Sequence, residues 1–127
     1  MLISAQEVFN GTLGSIATYY TSANWNTVLS KGESLSIQVI ADAGPISGGP
    51  SIVVTVEGSN DGQSWSQIGG PNGPIVTLSP TSYPSNALGN TLGFLLPAQI
   101  RLGVTANVAA VSSVVRVDVA VHGESTR

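Results

Sequence analysis

The stretch Ser51–Gly69, SIVVTVEGSNDGQSWSQIG, does most to limit what this chain can become. Ile52, Val54 and Val56 alternate with Val53, Thr55 and Glu57, the period-2 pattern of a strand with one buried face. The run stops at Gly58-Ser59-Asn60-Asp61-Gly62 and resumes as Ser64-Trp65-Ser66-Gln67-Ile68. Asp-Gly between two such runs predicts a β-hairpin, because Asp tolerates and Gly prefers the positive φ that tight connections require.

The same alternation returns elsewhere. Leu35, Ile37 and Val39 are spaced by Ser36 and Gln38; Ile100, Leu102 and Val104 by Arg101 and Gly103; Val115, Val117, Val119 and Val121 by Arg116, Asp118 and Ala120. Shorter strands are predicted over Ser15–Tyr20, Thr27–Leu29, Ile75–Leu78 and Leu92–Leu96, the last closed by Pro97. Residues 1–14 read as an N-terminal arm or a short edge strand, and 15–127 as a single domain. Ala41–Pro50 and Ser79–Asn90 read as long loops. No window carries the i, i+3, i+4, i+7 spacing of a helix, and glycine and proline recur throughout. Seven to nine short strands without a helix predict an all-β, antiparallel, jelly-roll-like β-sandwich, with Trp65 capping one end of its core.

Charge narrows the function. Only 9% of the 127 residues are charged, against about 25% in ordinary domains, while 42% are hydrophobic. Such an exterior is poorly defended against association and is better suited to being covered by neighbours. A net charge of −3 with four basic residues lacks the basic patch that nucleic acid demands, and it disfavours anionic membranes. Absence of cysteine removes disulfides and thiolate metal sites. The first residues show no basic start followed by an apolar run, so synthesis in the cytoplasm without a signal peptide is expected.

No constellation announces catalysis. The one candidate base, His122, ends an outward face, with Asp118 four residues before it as the nearest acid. Two glycosidase carboxylates would have to come from seven scattered acids, of which Asp61 belongs to a turn and Glu57 is opposed by Arg101 or Arg116. Asn60-Asp61-Gly62 and Asp42 do not form a calcium loop. Gly48-Gly49 and Gly69-Gly70 lack the lysine and following helix of a phosphate loop. The expectation is therefore no enzyme, no cofactor and no metal. Among the aromatic residues, Trp25 in an Asn-flanked turn and Tyr83 in a long loop are the candidates for stacking on sugar rings.

The segment Val56–Trp65, followed by Ile100-Arg101-Leu102-Gly103-Val104-Thr105 and a closing Val-rich strand, resembles two groups of proteins. One comprises small β-sandwich proteins of tailed bacteriophages, including head decoration and minor capsid proteins. The other comprises discoidin-like and related carbohydrate-binding sandwiches. Few charges, no cysteine and no evident signal peptide favour the first. That resemblance implies a capsid decoration protein on the virion surface, a homo-oligomer with a trimer favoured, that cements the major capsid protein. Its assembly contacts would be Leu2, Ile3, Val8 and Phe9 of the arm, with the loops at 41–50 and 79–90. The second resemblance implies a glycan-binding module using Trp25 and Tyr83.

Overall fold

The structure, a computed structural model, describes residues 2–21, 34–68, 75–92 and 99–122. For Leu2–Ser4, Ser34–Leu35, Ile75, Asn90–Leu92 and Val121–His122 it describes the backbone alone. The expected strand over Thr27–Leu29 lies outside these residues, as does the part of the expected Leu92–Leu96 strand after Leu92.

Among the described residues nine strands form two antiparallel sheets, as the alternation predicts: β1 (Leu2–Thr12), β2 (Tyr19–Tyr20), β3 (Ser34–Ala43), β4 (Ile52–Ser59), β5 (Ser66–Gln67), β6 (Ile75–Leu78), β7 (Ser85–Leu92), β8 (Gln99–Ala106) and β9 (Val114–His122). Sheet A has the order β1-β9-β3-β7. Sheet B has the order β2-β8-β4-β5, with β6 also paired to β4. The described residues contain no α-helix, only a 3-10 turn at Val108–Ala110 capped by the Asn107 side chain.

The inward rows are those the sequence marks. Ile37, Val39 and Ala41 of β3 and Val115, Val117 and Val119 of β9 meet Ile52, Val54 and Val56 of β4 and Ile100, Leu102 and Val104 of β8, all essentially without exposure. β-branched side chains with few χ1 choices interdigitate across the two sheets and fix the sandwich.

Four segments depart from the sequence reading. Residues 2–12, an arm or short edge strand from the sequence, take the second form, paired along their length with β9. A register shift between Glu7 and Phe9 sends Phe9 opposite inward Val117 while Glu7 stands opposite outward Asp118. By simple alternation the two would share a face; the bulge separates them. Ser85–Leu92, of which Ser85–Asn90 is expected as loop, is an edge strand paired with β3, although SNALGNTL holds no β-branched run. β3 likewise runs on to Ala43, into the expected loop. Of Ser15–Tyr20 only Tyr19 and Tyr20 pair.

The hairpin forms, with Glu57 opposite Gln67 and Gly58 opposite Ser66. Its connection is longer than two residues and is held by Asp61. The Asp61 Oδ1 accepts from the Ser64 N–H at 2.7 Å, the Gln63 N–H at 2.8 Å and the Ser59 hydroxyl at 2.8 Å. Gly62 takes the positive φ, +78°. The N–H groups of Ser64 and Gln63, then the Ser59 hydroxyl, hold the Asp61 carboxyl far below the usual carboxylate range. A depressed carboxyl stabilises the fold fully above its unfolded value, about 3.9, and loses that contribution as pH falls below it. Asp61→Asn is therefore expected to lower the melting temperature at pH 7, with the deficit shrinking steadily below about pH 4. A deficit that stays constant down to pH 2.5 in thermal scans would show that the turn does not depend on the charge.

Candidate functional site

The two outer faces differ in what their polar groups do. On sheet B they are used internally. Arg101 of β8 stands opposite Glu57 of β4, and its Nε and Nη2 donate to Glu57 Oε1 at 2.8 and 2.7 Å. Of the two expected partners, Arg101 is therefore the residue that opposes Glu57; Arg116 belongs to the other sheet. The guanidinium carbon lies 3.8 Å from the Tyr20 ring centroid and 4.3 Å from that of Trp65. Trp65 thus does not cap the core but stacks with the Arg101 cation, from its place just before β5, the strand paired beside β4. Gly103 leaves room beneath Tyr20: a side chain there would meet Thr18 Cγ2 and Thr55 Oγ1 at 3.1 Å. The Thr18 and Thr105 hydroxyls bond each other at 3.0 Å.

On sheet A the polar groups are open. An indentation of about 470 Å³ crosses all four strands, lined by Gln6 and Glu7 of β1, Arg116 and Asp118 of β9, Ser36 and Gln38 of β3 and Leu88 of β7. Register explains its shape. Ala5, Ala120 and Ser36 lie opposite one another and make a low floor of small side chains. Glu7, Asp118, Gln38 and Leu88 form the next row and stand above it. Among the described residues two side-chain bonds engage this face: Asn10 Nδ2 donates to Glu7 Oε1 at 3.2 Å and Gln38 Nε2 to Asn86 Oδ1 at 3.4 Å. Arg116 shares the groove with two carboxylates, yet the one ion pair among the described residues is Glu57–Arg101. The Arg116 Nε is buried and has no hydrogen-bond partner there. A buried donor without an acceptor costs about 1–3 kcal/mol.

Most residues singled out from the sequence fall elsewhere. Tyr83 is half-buried against the core, and its hydroxyl donates to the Pro45 carbonyl of the loop before β4. Trp25 lies outside the described residues, as do the side chains of Leu2, Ile3 and His122. Val8 and Phe9 pack partly buried against the protein's own core, Phe9 edge-on to Tyr19 with centroids 6.1 Å apart. Asp42 is exposed, and no group of three His, Cys, Asp or Glu among the described residues is placed to hold a metal. Asp118, noted only as a distant companion of His122, lines the groove. The remaining groove residues carry no motif; the outward row Arg116-Asp118-Ala120 of β9 is the signal that could have found it.

No family model matches the chain, and no curated protein matches it. Among solved structures it is similar to the CBM22-1–GH10 modules of Clostridium thermocellum endo-1,4-β-D-xylanase 10B, complexed with xylohexaose. The TM-score is 0.52 at 13% identity, over 95% of this chain. The match spans 29% of that chain, and the likeness is one of fold. Nothing in these comparisons points to a phage origin or a capsid role.

Proposed function

We propose that the protein is a non-catalytic carbohydrate-binding β-sandwich whose glycan lies in the groove on the outer face of sheet A. The observation that carries this reading is the set of planar polar side chains gathered there, Arg116, Glu7, Asp118 and Gln38. Sugars present paired hydroxyls that both donate and accept. Carboxylates accept, guanidinium donates and an amide does both, so Glu7, Asp118, Arg116 and Gln38 cover each requirement. Leu88, 65% exposed, supplies an apolar surface for the C–H face of a ring. The fold shared with part of a solved structure, CBM22-1–GH10 modules complexed with xylohexaose, supports the same reading. Capsid decoration, expected from the first resemblance, draws no support from the comparisons, and two of the four residues assigned to its contacts are partly used within the fold.

Titration calorimetry of the intact protein against a panel of neutral oligosaccharides that includes xylohexaose tests the proposal. Binding is expected for the unaltered chain, with affinity falling roughly tenfold to a hundredfold in Arg116→Ala, the equivalent of about 1.4–2.8 kcal/mol. Arg116 faces outward, so the variant is expected to keep its melting temperature within a few degrees. No binding across the panel, or binding that ignores Arg116→Ala, would remove this assignment.

A further inference from the structure

Resting on that glycan reading, we infer that the groove takes an internal stretch of a linear, uncharged glycan, about three residues long, laid across the strands and not along them. The floor row Ala5–Ala120–Ser36 and the wall row Glu7–Asp118–Gln38–Leu88 both run perpendicular to the strands, because each is made of residues in register. Four neighbouring strands give three spacings of about 4.8 Å, so the wall extends ~14 Å, the length of roughly three sugar rings.

The ends of this wall lie on edge strands. Glu7 belongs to β1 and Leu88 to β7, and among the described residues no strand continues sheet A beyond either. A chain seated on the floor can therefore run out past both edges. A pocket that grips a chain end needs a closing wall, and neither end of the row supplies one among the described residues.

Charge sets the chemical class. Glu7 and Asp118 stand opposite each other on adjacent strands and offer acceptors only, with Arg116 the single cation among the described lining residues. A sugar carrying a carboxylate or sulfate on every residue would set anions against these two carboxylates, and like-charge juxtaposition is a strong rejecting element. Hydroxyls meet no such penalty.

The test uses the β-1,4-linked xylose and glucose series from one to six residues, together with a uronic acid oligomer of six residues, against the intact protein. Affinity is expected to rise at least tenfold from one to three residues and to change less than threefold from three to six. Blocking both ends of the hexamer should leave affinity within threefold, and the uronic acid hexamer should bind at least tenfold more weakly. A monosaccharide that binds as tightly as the hexamer, loss of binding on end-blocking, or equal affinity for the acidic chain would each overturn this inference while leaving glycan binding in place. Failure of every member of the series to bind would overturn the glycan reading, and this inference with it.

Discussion

Leu102→Ala is expected to lower the free energy of unfolding by about 3 kcal/mol, within the 2–5 kcal/mol typical of such core truncations. Leu102 has no exposure and lies at the centre of β8, opposite Val56 of β4. Its buried neighbours across the sandwich are chiefly Val, Ile and Ala. β-branched side chains held in one rotamer cannot swing into the space a leucine leaves, so the cavity persists. Against a total stability of about 5–15 kcal/mol for a domain, that loss is large. Urea unfolding should show a lower midpoint with an unchanged slope. Leu88→Ala, at an exposed site, is the control, expected within ~0.5 kcal/mol of the parent. Equal costs at the two positions would mean that the core is not where the structure places it.

Arg101→Ala should rank second, at about 2–3 kcal/mol, from the lost charge-assisted bonds and ring contacts. The guanidinium contacts elements from three parts of sheet B: Glu57 on β4, Tyr20 on β2 and Trp65 beside β5. Its side chain is 23% exposed and that of Glu57 20%, so removing one partner leaves the other half-desolvated. Arg101→Lys should restore less than half, since an ammonium stacks less well on rings and lacks the planar fork. Trp65 fluorescence is a direct readout, because the cation beside its ring disappears in the alanine variant. An Arg101→Ala protein within ~0.5 kcal/mol of the parent would reduce the cluster to a surface ion pair of the usual small worth.

What the sequence discloses follows from where periodicity survives. β4, β8 and β9 are central or long paired strands in which every second residue is buried, and their Val, Ile and Leu positions mark them plainly. β7 escapes because an edge strand half-open to solvent does not require β-branched residues, and SNALGNTL resembles a loop in composition. The bulge in β1 escapes because alternation assumes an unbroken pleat. Glu57 with Arg101 was legible as a cross-strand pair, whereas the stacking of Tyr20 and Trp65 on the same cation was not, since β2 meets β8 only through the tertiary fold.

The groove is the least legible part. Its residues sit at positions 5–7, 36–38, 88 and 116–120, each an ordinary outward site on its own strand. They become neighbours because the sheet order β1-β9-β3-β7 brings distant segments together and the register aligns small residues with small. Among the described residues the aromatic side chains, the sequence's guide to sugar binding, lie elsewhere: Tyr83 bonds a loop carbonyl, and Tyr20 and Trp65 stack with Arg101 on the opposite sheet.

The measurement that bears most directly on the central claim is an amide chemical-shift map of the intact protein titrated with xylohexaose. Shifts concentrated at Ala5–Glu7, Ser36–Gln38, Leu88 and Arg116–Ala120 are the result expected of a glycan seated across sheet A. Shifts confined to the Tyr20 and Trp65 face, or none at saturating sugar, would contradict it.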